Sequence, residues 1–151
     1  MKIVTIIGAR PQFIKASVLS LEFSKDQSIQ EIIIHTGQHF DHNMSQIFFE
    51  EMMIPTPKYN LGIQNLSHGA MTGRQLEELE KILLDEKPDF VLVYGDTNST
   101  LAGAITAKKI NIPLFHIESG LRSKKRSMPE EINRLITDHL ATLLFCPNSF
   151  S

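Results

Sequence analysis

Short apolar runs alternate along this chain with longer stretches of helical period. Residues 3–7, 32–34, 90–94, 113–117 and 143–146 are apolar at nearly every position and rich in β-branched or aromatic side chains. Apolar residues at successive rather than alternate positions mark strands covered on both faces. Between them, residues 11–23, 43–53, 71–84, 97–109 and 129–140 carry apolar side chains at helical spacing. Pro11 stands at a predicted first helical position, where its missing N–H costs nothing. Strand–helix alternation of this kind predicts an α/β fold, a doubly wound, Rossmann-like parallel sheet with helices on both faces. Residues 54–67, with Pro55, Pro57 and Gly62, form the longest irregular segment. No internal repeat or low-complexity segment breaks the pattern, and residues 1–151 read as one domain.

An open parallel sheet binds ligands in the crevice outside the carboxyl ends of its strands. The first predicted strand runs into Gly8-Ala9-Arg10 and the second into His35-Thr36-Gly37-Gln38-His39. The next two end at Gly95-Asp96-Thr97-Asn98 and at His116-Ile117-Glu118-Ser119-Gly120. Arg10, Gln38, His39, Asp96 and Glu118 therefore fall on one edge, and the start of the last helix adds Glu130 and Glu131. The Gly8-Ala9-Arg10-Pro11 turn is neither a dinucleotide fingerprint nor a Walker loop. Its amides are nonetheless placed to hold an anion, the alternative being a plain tight turn with a solvated Arg10.

Lys15 lies near the positive end of the first helix dipole and requires solvation or an anionic partner. Asp96 or Thr97 is a candidate helix cap. Glu118, a carboxylate at a buried strand terminus, needs a partner or a chemical task, and Arg122 is the structural alternative. Ser127 and Glu130 fit a capping box, and Glu131 and Arg134, three apart, fit an intrahelical pair. His116 reads as a packed core histidine and Cys146 as a buried strand residue.

Composition narrows the function classes. A net charge of −2 argues against a nucleic-acid or anionic-membrane surface, so neither partner is expected. No run approaches the roughly 18–20 apolar residues of a membrane span. The apolar stretch at the N-terminus is too short for a secretory signal and no small-residue cleavage site follows it. A cytoplasmic protein is expected. One cysteine excludes an internal disulfide and a cysteine-rich metal site. His35, His39 and His42 straddle a strand end and a loop without metal spacing, and no metal is expected.

The motifs at the strand ends carry a resemblance. Gly8-Ala9-Arg10-Pro11-Gln12-Phe13-Ile14-Lys15 resembles the opening G-[TA]-R-P-x-x-I-K signature of non-hydrolysing UDP-N-acetylglucosamine 2-epimerases. Thr36-Gly37-Gln38-His39 is similar to the family's second-strand element, and Tyr94-Gly95-Asp96-Thr97 to its G-D-T turn. His116-Ile117-Glu118-Ser119-Gly120-Leu121-Arg122 resembles its H-[VI]-E-[AS]-G-L-R segment. Met128-Pro129-Glu130-Glu131-Ile132-Asn133-Arg134, with Asp138-His139, resembles P-E-E-x-N-R…D-H. These motifs occur in order over essentially the whole chain.

The resemblance implies the N-terminal half of a two-domain fold like that of the glycosyltransferase-B enzymes, with the C-terminal nucleotide-binding domain absent from this chain. It implies a UDP-sugar substrate, no cofactor, and a homodimeric full-length enzyme making precursors for surface polysaccharide. Asp96, Glu118 and Glu130 then match the catalytic carboxylates. Arg10, Lys15, Gln38, His39, Arg122 and Arg134 match substrate-binding positions.

The sequence departs from the better-known bacterial pattern Q-H-R-x-M, reading Gln38-His39-Phe40-Asp41-His42-Asn43-Met44, and its loop from Leu121 to Pro129 is shorter. It resembles the branch acting on UDP-2,3-diacetamido-glucuronic acid equally well, so both substrates stay open. A chain of this extent is expected to be inactive alone. The rival readings are a glycosyltransferase of the same architecture and a non-catalytic fragment. A receiver-type module would place an acidic cluster at the first strand, which here ends in Arg10.

Overall fold

In the computed structural model, residues 1–38, 46–51 and 53–148 are described. In chain order they form β1 (Lys2–Ile7), α1 (Arg10–Ser24), β2 (Gln30–His35), α2 (Gln46–Glu51), β3 (Tyr59–Asn60) and α3 (His68–Glu86). There follow β4 (Phe90–Tyr94), α4 (Asn98–Lys109), β5 (Leu114–Ile117), α5 (Pro129–Leu140) and β6 (Leu143–Phe145). The strands make a six-stranded sheet in the order β3-β2-β1-β4-β5-β6, with every neighbouring pair parallel.

This topology explains why the strands read as continuous apolar runs. The chain steps one way across the sheet from β1 to β2 and the other way from β4 to β5. Right-handed crossovers therefore put α1 and α4 on opposite faces. On one face, Phe13 and Ala16 of α1 pack with Ile3, Ile7, Ile33, Leu92 and Tyr94. On the other, Leu79 and Leu83 of α3 and Ala102, Ala104 and Ala107 of α4 pack with Val4, Ile6, Ile32, Ile34, Val91 and Val93. The small side chains of α4 let it lie close to the sheet at the centre of the molecule.

Several expectations shift. The first helix begins at Arg10, so Pro11 is its second residue. The irregular segment holds β3, a two-residue edge strand paired to Ile34 and His35, too short for a periodicity to register. The third helix begins at His68 after Ser67 and closes at Lys87, whose φ of 48° is left-handed. Near that end, Glu86 accepts from Lys2 Nζ at 3.2 Å, Lys58 Nζ at 2.6 Å and the Tyr59 hydroxyl at 2.5 Å, joining β1, β3 and α3.

Cys146, expected in a buried strand, is exposed. It follows β6, the edge strand, whose Leu143, Leu144 and Phe145 are also exposed. The fifth helix matches its expected span but not the usual inside. Glu131, Asn133 and Thr137 are its buried residues, whereas Ile132, Leu135 and Ile136 are 47%, 41% and 37% exposed. Its polar face turns inward because that is where it meets the charged ends of β4 and β5. No helix among the described residues is long and apolar enough to cross a membrane.

Candidate active site at the switch point of the sheet

The strand order reverses between β1 and β4. At such a point neighbouring crossovers leave in opposite directions and a crevice opens outside the strand ends. A cavity of about 490 Å³ lies there, and Arg10, Lys15, Gln38, Asp96, Glu118 and Glu130 all line it. Six of the expected site residues thus meet in one place. His39 lies outside the described residues. Arg122 and Arg134 do not line it; they pair with Asp138 and Asp96.

The β1 turn is organised by a residue that sequence reasoning passed over. The buried Gln12 accepts at Oε1 from the amides of Gly8 (2.7 Å) and Ala9 (3.1 Å). Its Nε2 donates to the Tyr94 carbonyl at 2.7 Å, stitching β1 to β4 across the crevice. This corrects the expectation that the Gly8-Ala9 amides are available to an anion: the Gln12 side chain already occupies them. The signal was present in the motif, where Gln12 follows Arg10-Pro11, but its target lies 82 residues away.

A Cβ on Gly8 would stand 2.1 Å from Ser99 Oγ and 2.4 Å from Thr36 Oγ1, so only glycine lets β1 pass between β2 and α4. Gln38 reaches the same spot, its Oε1 accepting from Ser99 N (3.0 Å) and Ser99 Oγ (2.8 Å) at the start of α4.

Thr97, not Asp96, caps α4, its hydroxyl accepting from Thr100 N at 3.3 Å. Asp96 is left to face the cavity. Its carboxylate pairs with Arg134, and its carbonyl accepts from Asn133 Nδ2 at 2.8 Å, so α5 fixes this turn. Glu118 pairs with Lys15 rather than with Arg122, which corrects the alternative considered for it. The pair joins the end of β5 to α1 and gives Lys15 the anionic partner its place on the helix dipole requires. Arg122 instead pairs with Asp138 at 2.7 Å. Glu118 has φ of 65°, a left-handed conformation uncommon outside glycine. Such a backbone persists only where its surroundings hold it, and it is concentrated at functional sites.

The expected capping box does not form. Met128, which has no side-chain oxygen to offer, is the N-cap of α5, one residue beyond Ser127, so Glu131 rather than Glu130 stands at the third helical position. Glu130 is thereby free to line the cavity. Its neighbour Glu131 turns away and anchors the preceding loop. It accepts from Ser123 N (2.8 Å), Ser123 Oγ (2.9 Å) and Lys124 N (3.3 Å), and pairs with Arg134 at 3.1 Å as expected. These bonds, led by that from the Ser123 amide, draw its carboxyl down to about 2.

His116 is fully buried, as expected of a core histidine. His35 is also buried, and desolvation lowers its pKa; its Nδ1 accepts from the Gly37 amide at 2.7 Å. His68, at the start of α3, lines the cavity and bonds Asn98 through Nδ1, another site contribution that no motif announced. Among the described residues no group of three acidic, histidine or cysteine side chains is arranged to hold a metal ion. Carboxylates with adjacent cations around one space suit an anionic ligand and proton transfer.

The family model described as UDP-N-acetylglucosamine 2-epimerase matches residues 21–151. The chain is 63% identical over 147 residues to the UDP-2,3-diacetamido-2,3-dideoxy-D-glucuronate 2-epimerase of Pseudomonas aeruginosa, covering 97% of this chain and 42% of that protein. It superposes with a TM-score of 0.94 and 52% identity on the crystal structure of Methanocaldococcus jannaschii UDP-GlcNAc 2-epimerase in complex with UDP-GlcNAc and UDP, covering 99% of this chain and 41% of that one. Acinetobacter baumannii MurG, at 14% identity and a TM-score of 0.60, shares the fold alone. The chain spans about two-fifths of the length of the relatives it matches.

Proposed function

The chain belongs to the UDP-N-acetylglucosamine 2-epimerase family, and on that premise we propose that it is the sugar-handling N-terminal domain of a UDP-sugar 2-epimerase. One observation carries the reading: Asp96, Glu118 and Glu130 line a single cavity with Arg10 and Lys15 at the switch point. The reaction inverts C2 of the sugar. That carbon is not next to a carbonyl, so its proton is not acidic in the ground state. Departure of UDP from C1 builds oxocarbenium character and makes C2–H removable, leaving a glycal with UDP retained. UDP then adds back while C2 is reprotonated on the other face.

Two faces need two proton-handling groups, which accounts for several carboxylates around one space. Each positioned acid or base contributes about 10²–10⁴-fold. Lys15 and Arg10 stabilise the departing diphosphate. Arg134 and Arg122 hold the carboxylates of Asp96 and Asp138. The nucleotide falls to a C-terminal domain, whose closure keeps water from the intermediate. The complete enzyme is a cytoplasmic homodimer in this reading, with UDP-N-acetylglucosamine converted to UDP-N-acetylmannosamine.

A second substrate, UDP-2,3-diacetamido-2,3-dideoxy-D-glucuronate, is favoured by the 63% identity to the Pseudomonas aeruginosa protein named for it. The test uses the chain extended to its relatives' length, incubated in heavy water with each sugar nucleotide in turn. Deuterium at C2 is followed by NMR. Incorporation into one substrate and not the other assigns the specificity, and incorporation into neither sinks the proposal.

A further inference from the structure

His116 is usefully seen from its two ring nitrogens. The ring is wholly buried at the end of β5. Its Nε2 lies 2.7 Å from the carbonyl oxygen of Gly95, the residue before Asp96. Its Nδ1 lies 2.7 Å from Asp138 Oδ1 on α5. The second oxygen of Asp138 accepts from the Gly120 amide at 3.0 Å, two residues after Glu118, and pairs with Arg122 at 2.7 Å. A single buried pair thus reaches the turn that carries Asp96 and the turn that carries Glu118.

We propose that His116 and Asp138 are positioning residues that hold these two turns in register, the imidazole bridging the Gly95 carbonyl and the Asp138 carboxyl. The catalytic consequence rests on the function proposed above; the hydrogen bonding does not. A carbonyl oxygen can only accept, so Nε2 bears a hydrogen. Nδ1 and Asp138 Oδ1 share the second hydrogen bond. The charged groups in contact with the ring and its partner are Asp138 from α5 and Arg122 from the loop after β5.

The turn after β5 needs such a brace, because Glu118 has a φ of 65°, a left-handed backbone uncommon outside glycine. An apolar residue at His116 would leave the Gly95 carbonyl and part of the Asp138 carboxylate buried without a donor. A shift of about 1 Å in a reacting group is enough to cost about 10²-fold in rate.

The test has two arms. In the 151-residue chain, the ¹⁵N spectrum of His116 is expected to show an N–H at Nε2, and Asp138→Asn is expected to shift the Nδ1 resonance. In the chain extended to its relatives' length, His116→Gln and Asp138→Asn are each expected to lower kcat about 10²-fold with KM little changed. Asp138→Asn is isosteric and covers the case in which His116→Gln fails to fold. A bare Nε2 in the unsubstituted protein overturns the hydrogen-bond assignment. Undiminished kcat in both variants overturns the positioning role. If the extended protein exchanges C2 on neither sugar nucleotide, the proposed function fails on its own. The brace is then decided by the Gly95 and Gly120 amide shifts in Asp138→Asn, which must move if it exists and overturn it if they do not.

Discussion

Glu118 combines a left-handed backbone, an ion pair with Lys15 and a place on the cavity wall. Together these place its carboxylate where a reacting group would be held. In the full-length enzyme, Glu118→Gln is expected to abolish most turnover while circular dichroism and the urea midpoint stay as in the unsubstituted protein. The amide is isosteric but exchanges no proton; more than about a tenth of the original rate would mark the residue as structural. Gly95 is the counterpart on the neighbouring strand. Its φ is 63°, and a Cβ there would lie 3.4 Å from Glu118 Oε2, an ordinary contact. The penalty for Gly95→Ala is therefore one of backbone, about 1–3 kcal/mol. A urea titration of the 151-residue chain measures it, and a midpoint unchanged by the substitution would contradict the left-handed turn.

At the scale of elements, the sheet is held to α3 by Glu86. Hydrogen bonds from Lys58, then Tyr59, outweigh the desolvation of burial, and with Lys2 they draw its carboxyl from an ordinary 4.5 to about 2. The folded value is below the unfolded one, so this group's stabilisation is fully present above about 4.5 and is lost as pH falls toward about 2. Glu86→Gln should therefore lower the urea midpoint at neutral pH, and the gap to the unsubstituted chain should narrow through that window. A gap that does not change with pH would mean the contacts act through packing rather than charge. The fifth helix shows the reverse organisation: its charged face is inside, tied to Asp96 through Arg134 and to the preceding loop through Glu131. Its helical extent was legible in the sequence. Which face turns inward was not, because helical period states that two faces differ but not which one meets a charged strand edge.

For the whole molecule, the function proposed above gives the nucleotide to a second domain. Residues 1–151 by themselves would then leave a reacting sugar in water, its electrostatic stabilisation screened and the glycal exposed. The remote binding energy that positions C1 and C2 would be absent as well. The 151-residue chain alone is expected to keep its fold and to incorporate no deuterium at C2 of UDP-N-acetylglucosamine in heavy water; enzyme-like incorporation would require a uridine site within these residues. The sequence by itself determined every strand but the two-residue β3, the places of the helices and the edge on which the candidate site residues gather. Those follow from local hydrophobic period and from the rule that parallel strands deliver their carboxyl ends to one side. Motifs at those ends supplied Asp96 and Glu118, and the start of α5 supplied Glu130. Only the tertiary structure decided who meets whom: Lys15 with Glu118 across 103 residues, Arg122 with Asp138, and Gln12 with the amides that an anion was expected to take. It also decided that Cys146 lies exposed beyond an uncovered edge strand. Pairings of this kind are set by which crossover lands beside which strand, a relation between distant segments that no local pattern of residues encodes.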